Sequence, residues 1–290
     1  MVELLPQAVA NGLLLGGIYA LVALGFSLVW GVMNIINVAH GAFVMLGAYA
    51  TYFLFTNFGL DPLIGGLGAF AVMFVLGYLL QTFILNLIVR APIFNTLILT
   101  FGLNLLIVNL ALIAFTGDFR SIVTDYSGDG LQLVGIILPY SRLAALGVAL
   151  LASFLVFQFM DRTRIGNAIR ATRMDLEAAE LIGVRPGRIY ALTFAIGAGL
   201  AGLAGALIVA TAPITPVMGL TYTGKAFVVA ALGGLGNMYG ALLGGLVLGL
   251  AETVGAIYLG PGLQDAIGYI VLVAVLILRP QGIAGRAGYA

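Results

Sequence analysis

Lys225 and Glu252 each stand alone in a long apolar run, and Lys225 is the single lysine of the chain. A charge at mid-bilayer costs about 2.5–3.5 kcal/mol on insertion scales, so in such runs each charge needs a reason to be there. Counting about 1.5 Å per residue puts Glu252 roughly 21 Å above a start near residue 238, and Lys225 within about 5 Å of the outer end of its own segment. Similar depths allow an ion pair or a shared wet vestibule. A lysine that snorkels beside an independent glutamate is the alternative. His40, the single histidine, sits at a break in hydrophobicity beside Gly41. A membrane-embedded histidine is a functional candidate by default. It equally suits hydrogen bonding to a backbone carbonyl freed at the break. Asn34, Asn37 and Asn237 mark the same kind of break, and either satisfy open backbone or line a polar path.

These residues exclude more chemistry than they offer. With no cysteine and one histidine, neither a thiolate nor a paired-histidine metal site can form, and no metal or cofactor is expected. There is no HExxH, no GxSxG with a usable base and no cysteine nucleophile, which argues against an enzyme. A GxxxxGK[ST] phosphate loop is also missing, so nucleotide chemistry would have to reside on another polypeptide.

A second group of polar residues is crowded into one short stretch. Six of the twelve basic residues lie between Arg162 and Arg188, with Asp161, Asp175, Glu177 and Glu180 among them. Met174 to Gly183 has helix signals. Asp175 can cap the start, Glu177 suits the first turn, Gly183 can end it, and Pro186 follows. Eight or nine residues make only two turns, too few to be stable alone, so packing against a partner is the natural remedy. Leu176, Ala179, Leu181 and Ile182 offer apolar contact, and Ala178 and Ala179 keep the profile slim. The plain alternative is a solvated surface helix.

The elements that carry these groups follow from composition. The chain has 290 residues, 62% hydrophobic and 8% charged, with a mean hydropathy of +1.16. Soluble domains carry roughly a quarter charged residues. Crossing about 30 Å of hydrocarbon takes about 20 apolar residues, and such runs recur along the length. We therefore expect an all-α fold: one polytopic transmembrane helical bundle over 1–290, with about 8–9 spans and broken helices, and a coupling loop at about 161–188. The 41 glycines suit close helix packing or broken helices lining a cavity. A net charge of +1 gives no reason to expect nucleic acid. The first residues, MVELLPQAVA, have no basic n-region, so no secretory signal is expected.

Spans are expected at 8–30, 41–57, 63–89, 93–115, 142–160, 189–211, 223–235, 237–259 and 264–279, with 223–235 short for a crossing. The positive-inside rule puts Arg90, the 161–188 island, Arg279 and Arg286 in the cytoplasm, and the acidic 116–141 loop with Asp61 outside. Nine crossings then place the N-terminus outside, whereas a re-entrant 223–235 would move it inside. Breaks at 31–41 and 233–240 each put an asparagine before a Gly-Ala pair, Gly41-Ala42 and Gly240-Ala241. Broken helices at corresponding positions of two related halves are a device of transporters.

Three stretches carry a family resemblance. Glu177-Ala178-Ala179 with Gly183 forms an EAAxxxG pattern that resembles the cytoplasmic coupling segment of ABC importer permeases. GGIYALVALGFSLVWGVMNIINVAHGAFVMLGAY resembles the opening of the branched-chain amino acid permeases of the LivH type. KAFVVAALGGLGNMYGALLGGLVLGLAET, followed by YLGPGLQDAIGYIVLVAVLILRPQG, resembles their C-terminal half. The resemblance implies a bacterial inner-membrane permease that pairs with a second, similar permease as a heterodimer. It further implies two ATP-binding subunits and a periplasmic substrate-binding protein. Asp175, Glu177, Ala178, Ala179 and Gly183 would couple to the ATPase. Asn34, Asn37, His40, Lys225, Asn237 and Glu252 are candidates for the translocation path. The chain departs from the pattern at Leu192-Thr193-Phe194, where many importers have a proline, and at Ala42, often acidic in the family. The superfamily also includes permeases for urea, short amides and aromatic or other organic acids. The alternative from another class is an ATP-independent channel or ion-coupled carrier.

Overall fold

The computed structural model describes residues 4–89, 91–133 and 135–285. Arg90 and Arg286, used above for orientation, lie outside the described residues. Eleven α-helices are described: α1 (Leu5–Met33), α2 (His40–Phe58), α3 (Pro62–Phe83), α4 (Ile93–Phe115), α5 (Tyr140–Arg162), α6 (Arg164–Met174), α7 (Leu176–Leu181), α8 (Pro186–Val209), α9 (Met218–Gly233), α10 (Met238–Leu259) and α11 (Gln264–Leu278). Eight of these segments are long and apolar enough to cross a membrane. Their ends are set locally. Asp61 caps α3 by accepting from Leu63 N at 2.9 Å, and Pro186 opens α8, where its missing N–H does no harm.

The expected span at 223–235 is instead the 16-residue α9, which starts five residues earlier. A helix of that length rises only about 24 Å, short of the hydrocarbon thickness. The irregular stretch 210–217 precedes α9, and Ile214 in it pairs with Arg120 through backbone hydrogen bonds of 3.0 and 2.8 Å.

The core is built on α1 and α8, whose apolar windows are 89% and 94% buried, whereas α11 is 11% buried and peripheral. Small residues make this possible. Gly12 and Gly16 of α1 lie against the backbone of α10 at Gly249 and Gly245. Gly47 of α2 meets Gly202 of α8, and Gly205 of α8 meets Val44 and Ala48. Without hydrophobic drive between helices in lipid, such close backbone approach is a main source of packing energy.

The segment between α4 and α5 holds a two-stranded hairpin, β1 (Gly130–Leu133) against β2 (Ile136–Pro139), with Leu131 opposite Leu138. Gln7 near the start of α1 clamps it, donating to Ile137 O and accepting from Ile137 N, both at 2.8 Å. Arg120 lies 5.4–5.8 Å from the ring centres of Tyr49, Tyr52 and Phe53 and donates to Phe115 O at 2.7 Å. Tyr126 donates to Asp61 at 2.8 Å. The start of α1 therefore shares a face with the 116–139 segment. At the other end of α1, Gly31 packs on Gly236, which Arg173 of the charged loop also approaches. The N-terminal end of α1 and the charged loop therefore lie on opposite faces.

Candidate functional site

Four helices converge on Lys225. Its Nζ lies 2.7 Å from both carboxylate oxygens of Glu252 on α10, 2.8 Å from the Tyr19 hydroxyl on α1 and 2.8 Å from Asp265 Oδ1 on α11. Tyr19 in turn donates to Glu252 Oε2 at 2.8 Å. An ammonium has three N–H groups, and here each has an oxygen. The ammonium also sits 4.6 Å from the Tyr19 ring centre. Lys225 and Glu252 are 8% and 1% exposed. The Asp265 side chain is 63% exposed. The group is thus a buried ion pair with an accessible second carboxylate, one negative charge in excess.

A cavity of about 210 Å³, lined by Leu220, Thr221, Leu248 and Tyr269, opens on these charges. Gly268 keeps the space clear, since a Cβ there would stand 3.2 Å from Glu252 Oε1. Of the alternatives that depth left open, the ion pair is the one that forms, and the lysine does not stand apart from the glutamate. One premise is corrected. Because α9 starts at Met218, Lys225 lies in its second turn, about 10 Å along the helix and not at its outer end.

The first break is a six-residue non-helical stretch, 34–39, between α1 and α2. Asn34 ends α1 in the left-handed region at φ 52° and is exposed, with its N–H bonded to Trp30 O at 2.9 Å. Backbone freed inside an apolar bundle must find partners. Two threonines from other helices supply them. Thr100 of α4 donates to Ile36 O at 2.8 Å and accepts from Val38 N at 3.2 Å. Thr223 of α9 donates to Val38 O at 3.1 Å and accepts from Gly41 N at 2.9 Å.

His40 is fully buried, and its ring N–H at Nε2 donates to Val22 O at 2.9 Å. That carbonyl lies in the middle of α1. The expectation that His40 would serve a carbonyl freed at the break is corrected, because the threonines already fill that role. Phe26 meets the imidazole edge-on at 5.6 Å between ring centres. Asn37 Oδ1, His40 Nδ1, Ser27 Oγ, Asn104 Oδ1 and Thr193 Oγ1 are buried with no hydrogen-bond partner among the described residues. Tyr49 Oη and Gln81 Oε1 are in the same condition, and all seven have capacity left for water or a polar solute.

The second break is built differently. Gly234 and Gly236 take φ of 94° and 75°, and Asn237 caps α10 by accepting from Tyr239 N and Gly240 N, both at 3.1 Å. It also donates to Ala284 O at 2.9 Å. Asn237 therefore acts as a cap on the face of Gly31 and Gly236. Asn37, by contrast, caps nothing. The two breaks share composition, not geometry. Through Thr223 and Lys225, α9 links the first break to the charged cluster; Asn34 stands exposed at the start of that break, and Asn237 belongs to the second.

The coupling segment is shorter than expected, with α7 spanning six residues. Asp175 Oδ1 accepts from Ala178 N at 3.0 Å. Gly183 follows in the left-handed region at φ 87°, and its N–H bonds Glu180 O at 3.0 Å. Ala179 is buried against its own chain, so it is not available to a partner; Leu181 and Ile182 are 88% and 76% exposed. Sequence reading missed Tyr19, Thr100 and Thr223, whose partners are far away in the chain.

The family of the branched-chain amino acid transport system permease component matches over residues 8–278. Among curated proteins, the high-affinity branched-chain amino acid transport system permease protein BraD of Pseudomonas aeruginosa is 34% identical, over 97% of this chain and 95% of its own. The permease protein LivH of Escherichia coli is 32% identical over the same shares. LivM of Escherichia coli, a permease protein of a high-affinity branched-chain amino acid transport system, is 28% identical over 92% of this chain and 67% of its own. No solved structure matches. With the match spanning nearly the whole length and the helices laid out as membrane spans, the chain belongs to the family of permease components of branched-chain amino acid transport systems.

Proposed function

We propose that this chain is the membrane-embedded permease subunit of an ABC-type importer for branched-chain amino acids. In this reading all 290 residues form one permease domain in a bacterial inner membrane, with 161–188 as its coupling loop. It forms the path with a second permease of similar sequence and has no catalytic role. Two ATP-binding subunits drive it, and a periplasmic binding protein delivers the solute.

The observation that carries this reading is α7. Two large apolar side chains, Leu181 and Ile182, stand almost fully exposed beside a helix of six residues. So short a helix gains stability by docking. The family match supports the solute class, since the relatives' names carry it. The polar groups buried around the first break, together with the charged cluster on α9, support a path along that helix.

Reconstitution tests the reading. In liposomes the chain alone should give no leucine-selective flux, and leucine uptake should appear only with the second permease, the ATP-binding subunits and the binding protein. Selective flux from the chain alone would turn the reading toward a channel or carrier.

A further inference from the structure

On the face that carries the charged loop, the end of α3 and the start of α8 enclose a cavity of about 550 Å³. Its α3 side presents Tyr78 and Thr82, four residues apart and so on one face of the helix, with Asn86 from the turn that follows α3. Its α8 side presents Arg185 and Arg188, and Glu180 is the one acid on the rim. Two guanidiniums against one carboxylate leave the cavity positive.

Leading away along α3 is a second stripe, Val72, Val75, Leu79 and Phe83, all exposed. Their spacing of three and four residues keeps them on one side of the helix. A positive pocket beside an exposed apolar track on the same helix is complementary to a molecule with a negative head and hydrocarbon tails.

We propose that this cavity binds the phosphate-bearing headgroup of an anionic phospholipid, with its acyl chains along the Val72–Phe83 stripe. Guanidiniums suit phosphate by their forked N–H geometry. A tyrosine is at home at the headgroup level. Basic pockets between membrane helices on the cytoplasmic side are the recognised form of such sites. A free anion or a soluble protein partner would gain nothing from the apolar stripe. Arg185 lies two residues after Gly183, and Asn86 Nδ2 already donates to Gly187 O at 3.4 Å. A bound headgroup would therefore brace the connection between α7 and the membrane.

The test is native mass spectrometry of the purified full chain with phosphatidylglycerol or phosphatidylcholine of identical acyl chains. Phosphatidylglycerol should be retained preferentially in the unaltered protein, a comparison that needs no variant. Arg185→Gln and Arg188→Gln should each lower that retention about fivefold, the loss expected for one basic residue near an anionic surface. Leu79→Ser with Phe83→Ser should lower it with both arginines intact. Equal retention of the two lipids would overturn the proposal, as would a double arginine variant that binds phosphatidylglycerol unchanged. Displacement by millimolar inorganic phosphate would make it a free-anion site, and displacement by ATP-binding subunits would make it part of a protein interface. Either result also rejects the lipid.

Discussion

Lys225 and Glu252, 27 positions apart on adjacent helices, form an ion pair of 2.7 Å in which the glutamate is 1% exposed. Burial makes the pair costly to break and of modest net worth when intact. Removing one partner from a buried pair typically costs about 3–5 kcal/mol, because the other is left uncompensated. Here Asp265 and Tyr19 still touch the lysine, so Glu252→Gln should sit at the low end and Lys225→Met at the high end. The double variant should cost less than the sum. A double-mutant cycle on thermal unfolding in detergent measures the coupling, and strict additivity would mean that the pair does not interact.

Thr223 ties α9 to the first break through Val38 O and Gly41 N. Thr223→Val keeps the shape and removes both bonds, leaving buried backbone groups unpaired at about 1–3 kcal/mol for such a loss. Thr223→Ser should restore most of the stability. A valine variant as stable as the parent would show that the break is held by other contacts.

Two glycines should respond in opposite ways to alanine. At Gly205 a Cβ would stand 2.7 Å from Ala48 N and nearer still to Val44 O, both backbone atoms. Gly205→Ala should therefore push α2 from α8 and cost about 1–3 kcal/mol, the range for overpacking. Gly102, inside α4, has nothing within 4 Å of the added atom, so Gly102→Ala should gain about 0.5–1 kcal/mol from helix propensity. Folded yield and thermal midpoint for the two proteins check this directly; an equally tolerant Gly205 would contradict the packing.

Partial burial, and then the hydrogen bond to Asp61, push the Tyr126 hydroxyl up to about 12. Its neutral form is favoured in the folded protein. The anchoring of the 116–139 segment to α3 should therefore be intact below the ordinary tyrosine value near 10 and weaken as pH rises through about 12. Titration of tyrosinate absorbance, with Tyr126→Phe as the difference reference, should show a late component. Ionisation of every exposed tyrosine near 10, with no such component, would contradict it.

Local chemistry was readable in the sequence. Asp175 and Gly183 declare a helix start and stop within ten residues, and the cap at Asn237 and the break after Met33 are equally short-range. Packing was not. The partners of the 34–39 backbone come from Thr100 and Thr223, more than sixty positions away, and no local pattern marks either threonine. Helix depth left pairing of Lys225 with Glu252 as one of two alternatives, and Tyr19 reads as one more aromatic in an apolar run until α1 lies against α10. Ala179 shows the opposite failure. Its small size suggested a face for a partner, and the fold spends that face on itself.

In the proposed importer, ATP-binding subunits grip the chain at α7. Leu181→Asp with Ile182→Asp alters two exposed side chains, so insertion and thermal stability should be unchanged. If these residues are the apolar anchor of the interface, each is worth about 2 kcal/mol, and affinity for the ATP-binding subunits should fall about 30-fold for either single change and up to about 900-fold for the pair. Co-purification of those subunits with the tagged double variant measures it. Loss of the complex from a well-folded permease is the predicted result. Full recovery of the complex, with leucine uptake intact, would contradict the account.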